Sequence, residues 1–119
     1  MLRGEIYWAE FEPRSGSEQQ GHRPAIVVSH NGFNQTQNWN SVIVVPISSS
    51  RNQARRSATI IELEPNDTGL TMTSFAICHQ ITTLDRRKFG RRIGVLSKEA
   101  SRRIERGMLY ALAIEIDEV

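Results

Sequence analysis

Residues 41–47 read SVIVVPI and residues 24–29 read PAIVVS, and these two stretches decide the fold. Both are short, rich in β-branched residues and bounded by polar segments, which is typical of β-strands. Their apolar runs are continuous, so we expect each strand to be covered on both faces, like an inner strand of a compact barrel or sheet. Three further stretches of this kind are predicted as strands, at residues 5–11, 58–63 and 74–82.

The hydrophobic period changes after Gly94, where apolar residues recur at helical spacing. They are Ala100, Ile104, Met108, Ala111, Leu112 and Ile116. Ser97 is predicted as the N-cap of this helix, and Glu99 suits its positive end. Residues 31–38 are predicted to hold one short helical turn, anchored by Phe33. The chain is therefore predicted to be mainly β, a five- or six-stranded antiparallel barrel followed by one packed C-terminal α-helix.

The composition fits one globular domain spanning residues 1–119, with 39% hydrophobic and 24% charged residues. The net charge of +2 is compatible with a polyanionic partner but does not require one. Basic residues are clustered in short groups, which either track phosphates or form a solvated surface. These groups are Arg55–Arg56, Arg86–Lys88, Arg91–Arg92 and Arg102–Arg103.

A single cysteine, Cys78, excludes an intrachain disulfide and suggests a reducing compartment. The chain starts with a charged, strand-like segment that does not resemble a signal peptide, and no apolar run is long enough to span a bilayer. We therefore expect a cytoplasmic protein.

Residues 16–24 read GSEQQGHRP and form a connection longer than a plain hairpin needs. This loop contains a carboxylate, amides, an imidazole and a guanidinium, and Gly16 and Gly21 allow positive φ or a close approach to a ligand. One interpretation is a functional loop. The other is an ordinary solvated loop in which Glu18 merely pairs with Arg23.

The supply of metal ligands is poor, because His22, His30 and His79 lie in three different segments. Cys78 and His79 would point to opposite faces of a single strand. A transition-metal site needs three or four convergent ligands, so we expect no metal and no other cofactor.

The ordered series of motifs along the chain resembles the MazF/PemK (Kid) family of toxins from toxin–antitoxin modules. The resemblance rests on RGEIYW at residues 3–8, the GSEQQGHRP loop followed by AIVVS, and FN at residues 33–34. It continues with VVPIS at 44–48, CHQI at 78–81, TLD at 83–85 and RIG at 92–94.

This resemblance implies an SH3-like antiparallel barrel of the CcdB/PemK type with a C-terminal helix, and a homodimer. It also implies an endoribonuclease that cuts single-stranded RNA at short sequences and is inhibited by a cognate antitoxin. Two rival interpretations remain open. A related toxin family with this barrel binds DNA gyrase, and a plain nucleic-acid-binding barrel would not cut RNA at all.

Metal-free cleavage of RNA uses the substrate's own 2′-hydroxyl, and it needs a base, an acid and donors for the charged phosphorane. Arg23 is the first candidate, because its planar fork of N–H donors matches a phosphate. The resemblance implies a functional carboxylate at Glu18 and a hydroxyl at Ser48 that contacts the scissile phosphate.

The histidines depart from the Kid-like branch, in which a histidine stands at the position of Ser17 and an aspartate at that of His79. Both are assigned there to acid–base chemistry. In this chain His22 or His79 is the candidate titrating group, because imidazole titrates near neutral pH. A structural role for His79 is the alternative.

RNA recognition is predicted to use polar side chains that read bases and basic side chains that hold phosphates. The candidates are Ser17, Gln19, Gln20, Ser49, Arg55, Arg56 and Gln80. Trp8 alternates with Ile6 along the first strand and is predicted to lie in the core.

Overall fold

The computed structural model describes residues 1–12, 15–16, 18, 21–51 and 57–116. Within these described residues the sheet has seven strands, two more than the five stretches predicted as strands. The strands are β1 (Glu5–Glu10), β2 (His22–Val27), β3 (Ser41–Ser48), β4 (Ile60–Leu63), β5 (Ser74–Ile77), β6 (Thr82–Asp85) and β7 (Phe89–Val95). The helices are α1 (Asn31–Asn34), α2 (Pro65–Thr68) and α3 (Lys98–Ala111).

The strands form one antiparallel, barrel-like sheet in the order β4-β5-β3-β2-β1-β7, with β6 paired to β3 as well. Between the described strands no pairing joins β7 back to β4, so the sheet is not closed. The prediction of a mainly β fold with a C-terminal helix is confirmed. The predicted number of five or six strands is wrong.

Apolar residues cover both faces of the central strand β3, as its sequence predicts. Val45 belongs to a core cluster that includes Ile104 of α3, so the helix covers one face. Val44 directly precedes Val45 in β3 and lies on the opposite face. There it belongs to a separate cluster with Leu84 of β6. Each large aliphatic side chain buried in this way contributes roughly 1.5–3 kcal/mol.

The predicted strand at residues 74–82 is interrupted by a 3-10 turn at Cys78–Gln80. On one side of the turn β5 pairs with β3 in the register Ile47↔Ala76. On the other side β6 pairs with β3 in the register Val44↔Thr82. The two registers differ by three residues, and the turn takes up this difference.

Strand β7 was not expected, because two arginines and two glycines interrupt its apolar pattern. It pairs with β1 in a register that shifts twice, between Ile6 and Tyr7 and between Tyr7 and Ala9. Such irregularities remove the simple alternation that a sequence pattern detects. Gly94 is needed for packing, since a Cβ there would lie 2.3 Å from the carbonyl oxygen of Thr68.

The short helix in residues 31–38 is confirmed as α1, but Phe33 does not anchor it. Phe33 is 45% exposed and stacks on Trp39, with ring centroids 4.8 Å apart. Asn34 is the buried residue, and its side-chain amide donates to the carbonyl oxygen of Ser29 at 2.8 Å. A buried polar side chain whose hydrogen bonds are satisfied therefore holds this segment in place.

Helix α3 begins at the predicted cap but ends earlier than predicted. The hydroxyl of Ser97 accepts a hydrogen bond from the backbone N–H of Ala100 at 3.1 Å. The helix ends at Ala111, and Ala113 has a positive φ of 55°. Ile116 is consequently 63% exposed, although its spacing suggested the buried face of the helix. No helix in the described part of the chain combines the length and the apolar content needed to cross a membrane.

Asp67 joins α2 to α3. Its carboxylate accepts from the Ser97 hydroxyl at 3.0 Å and from the Arg103 guanidinium at 3.3 Å. It also accepts from the backbone N–H of Glu64 at 3.0 Å. This backbone hydrogen bond is the main cause that lowers the pKa of Asp67; burial opposes it, and Ser97 and Arg103 reinforce it.

Candidate functional site

A cleft of about 230 Å³ lies where β1 and β2 approach the loop before β5. The strands contribute Trp8, His22 and Arg23, and Ser49 follows directly after β3. Thr71 and Met72 line the cleft from the loop. The cleft thus brings together an imidazole, a guanidinium and a hydroxyl, which are groups suited to binding an anion and moving a proton.

The antiparallel pairing of β1 with β2 places the candidate residues at the cleft. Glu10 pairs with His22, and Ala9 pairs with Arg23. Beyond this pair the backbone N–H of Phe11 donates to the carbonyl oxygen of Gly21 at 2.9 Å. The long loop after β1 therefore ends directly at His22 and Arg23, the first two residues of β2.

Trp8 is not a core residue, contrary to the prediction. It is half-buried, and its indole lies parallel to the imidazole of His22, with centroids 5.1 Å apart and planes 6° apart. Strand alternation does put Trp8 on the same face as Ile6. The buried cluster that includes Ile6 and Ile104 does not include Trp8, so the indole is left to form a wall of the cleft.

Arg23 is half-buried and lines the cleft. Strand β2 pairs with β3 in the register Ala25↔Pro46. Continued by two residues, this antiparallel register sets Arg23 across from Ser48, since partner strands step in opposite directions. The arginine and the end of β3 therefore belong to the same edge of the site.

The two adjacent serines have different surroundings. Ser48 is only 2% exposed, and its hydroxyl accepts from the backbone N–H of Ser50 at 3.1 Å. Ser49 is exposed and lines the cleft. Of the two predicted hydroxyl groups, Ser49 is the one that a ligand in the cleft reaches, and Ser48 shapes the turn that presents it.

Glu18 lies in the loop after β1 and is exposed. Its carboxylate accepts from the hydroxyl of Ser15 at 3.4 Å. Five of the seven predicted RNA-binding residues lie outside the described residues: Ser17, Gln19, Gln20, Arg55 and Arg56.

His79 and Gln80 lie apart from this cleft within the chain. They lie in the 3-10 turn that follows β5, beside the middle of β3. Strand β5 itself pairs with Ile47 and Ser48, nearer the end of β3. Three to four residue steps along a strand separate that point from Ser48, a distance on the order of 10 Å. The imidazole Nδ1 of His79 is 2.8 Å from the hydroxyl oxygen of Thr59, so the ring is tied to the β4 side of the sheet.

Cys78, beside His79, is buried under helix α3. Burial raises the pKa of its thiol to about 12. The thiol is therefore neutral at physiological pH and is not an activated nucleophile. Across the residues that the structure describes, no three His, Cys, Asp or Glu side chains are grouped so as to hold a metal ion.

No sequence motif indicates that Leu70, Thr71 and Met72 form part of the cleft. These residues follow α2, whose C-cap is Gly69. They reach the cleft because the fold brings the segment between α2 and β5 beside Trp8, His22 and Arg23. Local sequence patterns carry no information about such a long-range contact.

Residues 2–112 match a family described as PemK-like, MazF-like toxin of type II toxin-antitoxin system. The chain is 34% identical over 90 residues to the endoribonuclease PemK of Escherichia coli. The aligned stretch covers 76% of this chain and 65% of that relative, which is less than two thirds of the relative's length.

Two solved structures are similar over almost their whole length. One is an endoribonuclease in complex with its cognate antitoxin from a mycobacterial species, with a TM-score of 0.79, 23% identity, and coverage of 98% of this chain and 99% of that one. The other is MazF from Deinococcus radiodurans, with a TM-score of 0.78, 20% identity, and coverage of 95% and 96%. At these identities the similarity establishes the shared fold.

Proposed function

The chain belongs to the PemK/MazF family of type II toxins, and from that membership we propose that it is a sequence-specific endoribonuclease that cuts single-stranded RNA without a metal ion. The observation that carries the proposal is the convergence of His22, Arg23 and Ser49 on one cleft. By cutting messenger RNA in the cytoplasm, the enzyme would inhibit translation and growth.

The proposed reaction is an internal transfer of the phosphodiester. A base removes the proton of the 2′-hydroxyl, and this oxygen attacks the adjacent phosphorus. The bond to the 5′-oxygen then breaks, and that oxygen takes a proton from an acid. The products are a 2′,3′-cyclic phosphate and a 5′-hydroxyl, so neither water nor a metal enters this step.

Arg23 is assigned to the phosphate. A guanidinium offers fixed N–H donors and stays charged at physiological pH, so it can stabilise the negative charge that grows on the phosphorane. Ser49 lines the same cleft, so its hydroxyl can donate to a phosphate oxygen, while Ser48 holds the turn.

His22 is the best placed candidate for proton transfer, because it lines the cleft together with Arg23. Glu18, in the loop that leads into His22, is proposed as its partner in proton transfer or as the group that orients Arg23. His79 is less favoured within one chain, because its ring is tied to Thr59. Ser17, Gln19, Gln20, Arg55, Arg56 and Gln80 remain proposed RNA contacts.

We also propose a homodimer and a cognate antitoxin as partners, in line with family membership. The mycobacterial relative of similar fold is described in complex with its antitoxin. An antitoxin that covers the cleft at His22 and Arg23 would block RNA directly.

The test is a digest of mixed-sequence RNA in EDTA, with mapping of both new ends. We expect cutting at a short preferred sequence, with 2′,3′-cyclic phosphate and 5′-hydroxyl ends. Arg23→Ala should lose at least about a hundredfold in rate, as is usual when a transition-state donor is removed. Loss of cutting in EDTA would refute metal independence. A fully active Arg23→Ala variant, or an inactive wild type that still binds a protein target, would favour the non-catalytic alternatives.

A further inference from the structure

A second cleft continues from the first and shares Ser49 and Met72 with it. Its volume is about 440 Å³, and its walls include Arg51 and the strand residue Glu62. A bound strand that follows the groove from His22 and Arg23 therefore passes into a compartment with a different charge. Apart from Ser49, the residues that line this compartment have no role in the proposed reaction.

The two glutamates of the second cleft differ in how their carboxylates are used. Glu64 accepts from the hydroxyl of Thr73 at 2.8 Å and caps α2 through the backbone of Asp67. Glu62 is exposed, and within the described part of the chain its carboxylate has neither an ion-pair nor a hydrogen-bond partner. Glu62 is thus the carboxylate that can accept hydrogen bonds from a ligand.

A phosphate cannot occupy the position next to Glu62 at low cost. Two like unit charges about 4 Å apart repel by roughly 1 kcal/mol in water and more near a protein surface. The nucleotide in this cleft must therefore direct its base toward Glu62 and its phosphate toward Arg51. The side chain of Met72, which is 55% exposed, offers an adaptable apolar contact for the face of that base.

An ionised carboxylate only accepts hydrogen bonds, so it selects a base edge that carries donors. The Watson–Crick edge of guanine presents N1–H and the N2 amino group side by side, which matches the two carboxylate oxygens. Adenine and cytosine present one donor next to an acceptor. Uracil presents one donor between two acceptors, so its carbonyl oxygens would face the negative charge.

We propose that the cleft between Arg51 and Glu62 is a base-specific subsite in which Glu62 selects guanine at one position of the cut sequence. This inference rests on the proposed function, since it gives that reaction part of its sequence preference. Glu62 acts as a specificity-determining residue and takes no part in proton transfer.

The first experiment compares cut-site sequences from mixed RNA for the wild type, Glu62→Gln and the control Glu115→Gln. Glu115 is an exposed residue beyond the end of α3. We expect the wild type and the control to prefer guanine at one position. Glu62→Gln should lose about tenfold or more of the guanine-over-uracil ratio there, as for other bidentate base contacts. An unchanged ratio, or no guanine preference in the wild type, would overturn the inference.

The second experiment separates this inference from the proposed function. Binding of the 2′-O-methyl RNAs UUGUU, UUIUU and UUUUU is measured by fluorescence anisotropy, because these RNAs cannot be cut through the 2′-oxygen. Inosine lacks only the N2 amino group of guanine. The wild type should bind UUGUU at least about fivefold more tightly than either other RNA, and Glu62→Gln should bind all three alike. If the wild type binds the three RNAs equally, the guanine subsite is overturned even if the enzyme cuts RNA. If it prefers UUGUU and Glu62→Gln does not, the subsite is supported even if the enzyme does not cut RNA.

Discussion

The imidazole of His22 lies flat against the indole of Trp8, with ring centroids 5.1 Å apart and planes 6° apart. The two residues come from neighbouring strands whose register is Trp8↔Pro24 and Glu10↔His22, so the pair meets diagonally across the sheet. Diagonal neighbours of this kind are within reach of aromatic side chains. The stack fixes the orientation of a side chain that would otherwise rotate at the exposed end of β2.

Replacing Trp8 by alanine should slow RNA cutting without unfolding the protein, because His22 would lose the surface that orients it. An aromatic pair contributes about 0.5–1.5 kcal/mol beyond buried area, so we expect a loss of up to about tenfold in single-turnover rate. Trp8→Phe should keep most of the rate. Trp39→Ala is the matched control, because Trp39 stacks on Phe33 after α1. Full activity in Trp8→Ala would contradict a positioning role.

The two serines at the end of β3 should respond differently to replacement by alanine. Ser49→Ala removes an exposed hydroxyl, so it should lower the cutting rate and leave the free energy of unfolding unchanged. Ser48→Ala removes the acceptor for the N–H of Ser50 and should cost about 1 kcal/mol of stability. Urea unfolding and cutting kinetics on both variants check this. A lower rate in Ser48→Ala alone would reassign the phosphate contact to Ser48.

Acid should weaken the junction between α2 and α3 through Asp67. The pKa of Asp67 is lowered in the folded protein, mainly by the backbone N–H of Glu64, so the ionised carboxylate favours folding. This stabilisation is complete above the unfolded value, near 4, and is lost as the pH falls through the lower folded pKa.

We therefore expect Asp67→Asn to cost about 1.5–3 kcal/mol at pH 7, the range for hydrogen bonds to charged groups. The difference from the wild type should shrink at acid pH, as measured by urea unfolding from pH 7 to pH 2. Glu115→Gln is the control and should follow the wild type throughout. A difference that stays constant down to pH 2 would show that ionisation of Asp67 does not contribute.

Helix α3 should not tolerate a methyl group at Gly107. A Cβ there would lie 2.7 Å from the sulfur of Cys78, so the helix would have to move away from the sheet. We expect Gly107→Ala to destabilise the protein by about 1–3 kcal/mol, although alanine is the better helix former. Cys78→Ala should restore part of this loss in the double variant. Purely additive effects in a double-mutant cycle would contradict the steric explanation.

The sequence predicted those parts of the fold that depend on local patterns. The inner strands β2 and β3 are apolar over consecutive positions, and their cover on both faces follows from that. Ser97 is an N-cap by residue type and position. Strand β7 was missed because Arg91 and Arg92 lie on its exposed part and its pairing with β1 shifts in register twice. A pattern of period two cannot detect such a strand.

The candidate site was predicted in part. Arg23 and His22 reach the cleft together because they are adjacent at the start of β2, directly after the polar loop whose composition predicts a functional site. The separation of His79 from that cleft depends on how far β5 extends along β3, which no local pattern shows. The prediction placed Trp8 on the correct face of the sheet, but helix α3 does not cover that face as far as Trp8. How far a helix extends over a sheet depends on tertiary packing, which no local pattern shows.

The turn at Cys78–Gln80 has a consequence for the evolution of this sheet. It lets one edge of β3 serve two partners, β5 and β6, whose registers differ by the three residues of the turn. Inserting or deleting a single residue there would invert the facing of one partner strand and expose Leu84 or Ala76. Among natural variants of this sheet, the residue types in the turn should therefore differ, whereas the number of residues in the turn should stay the same.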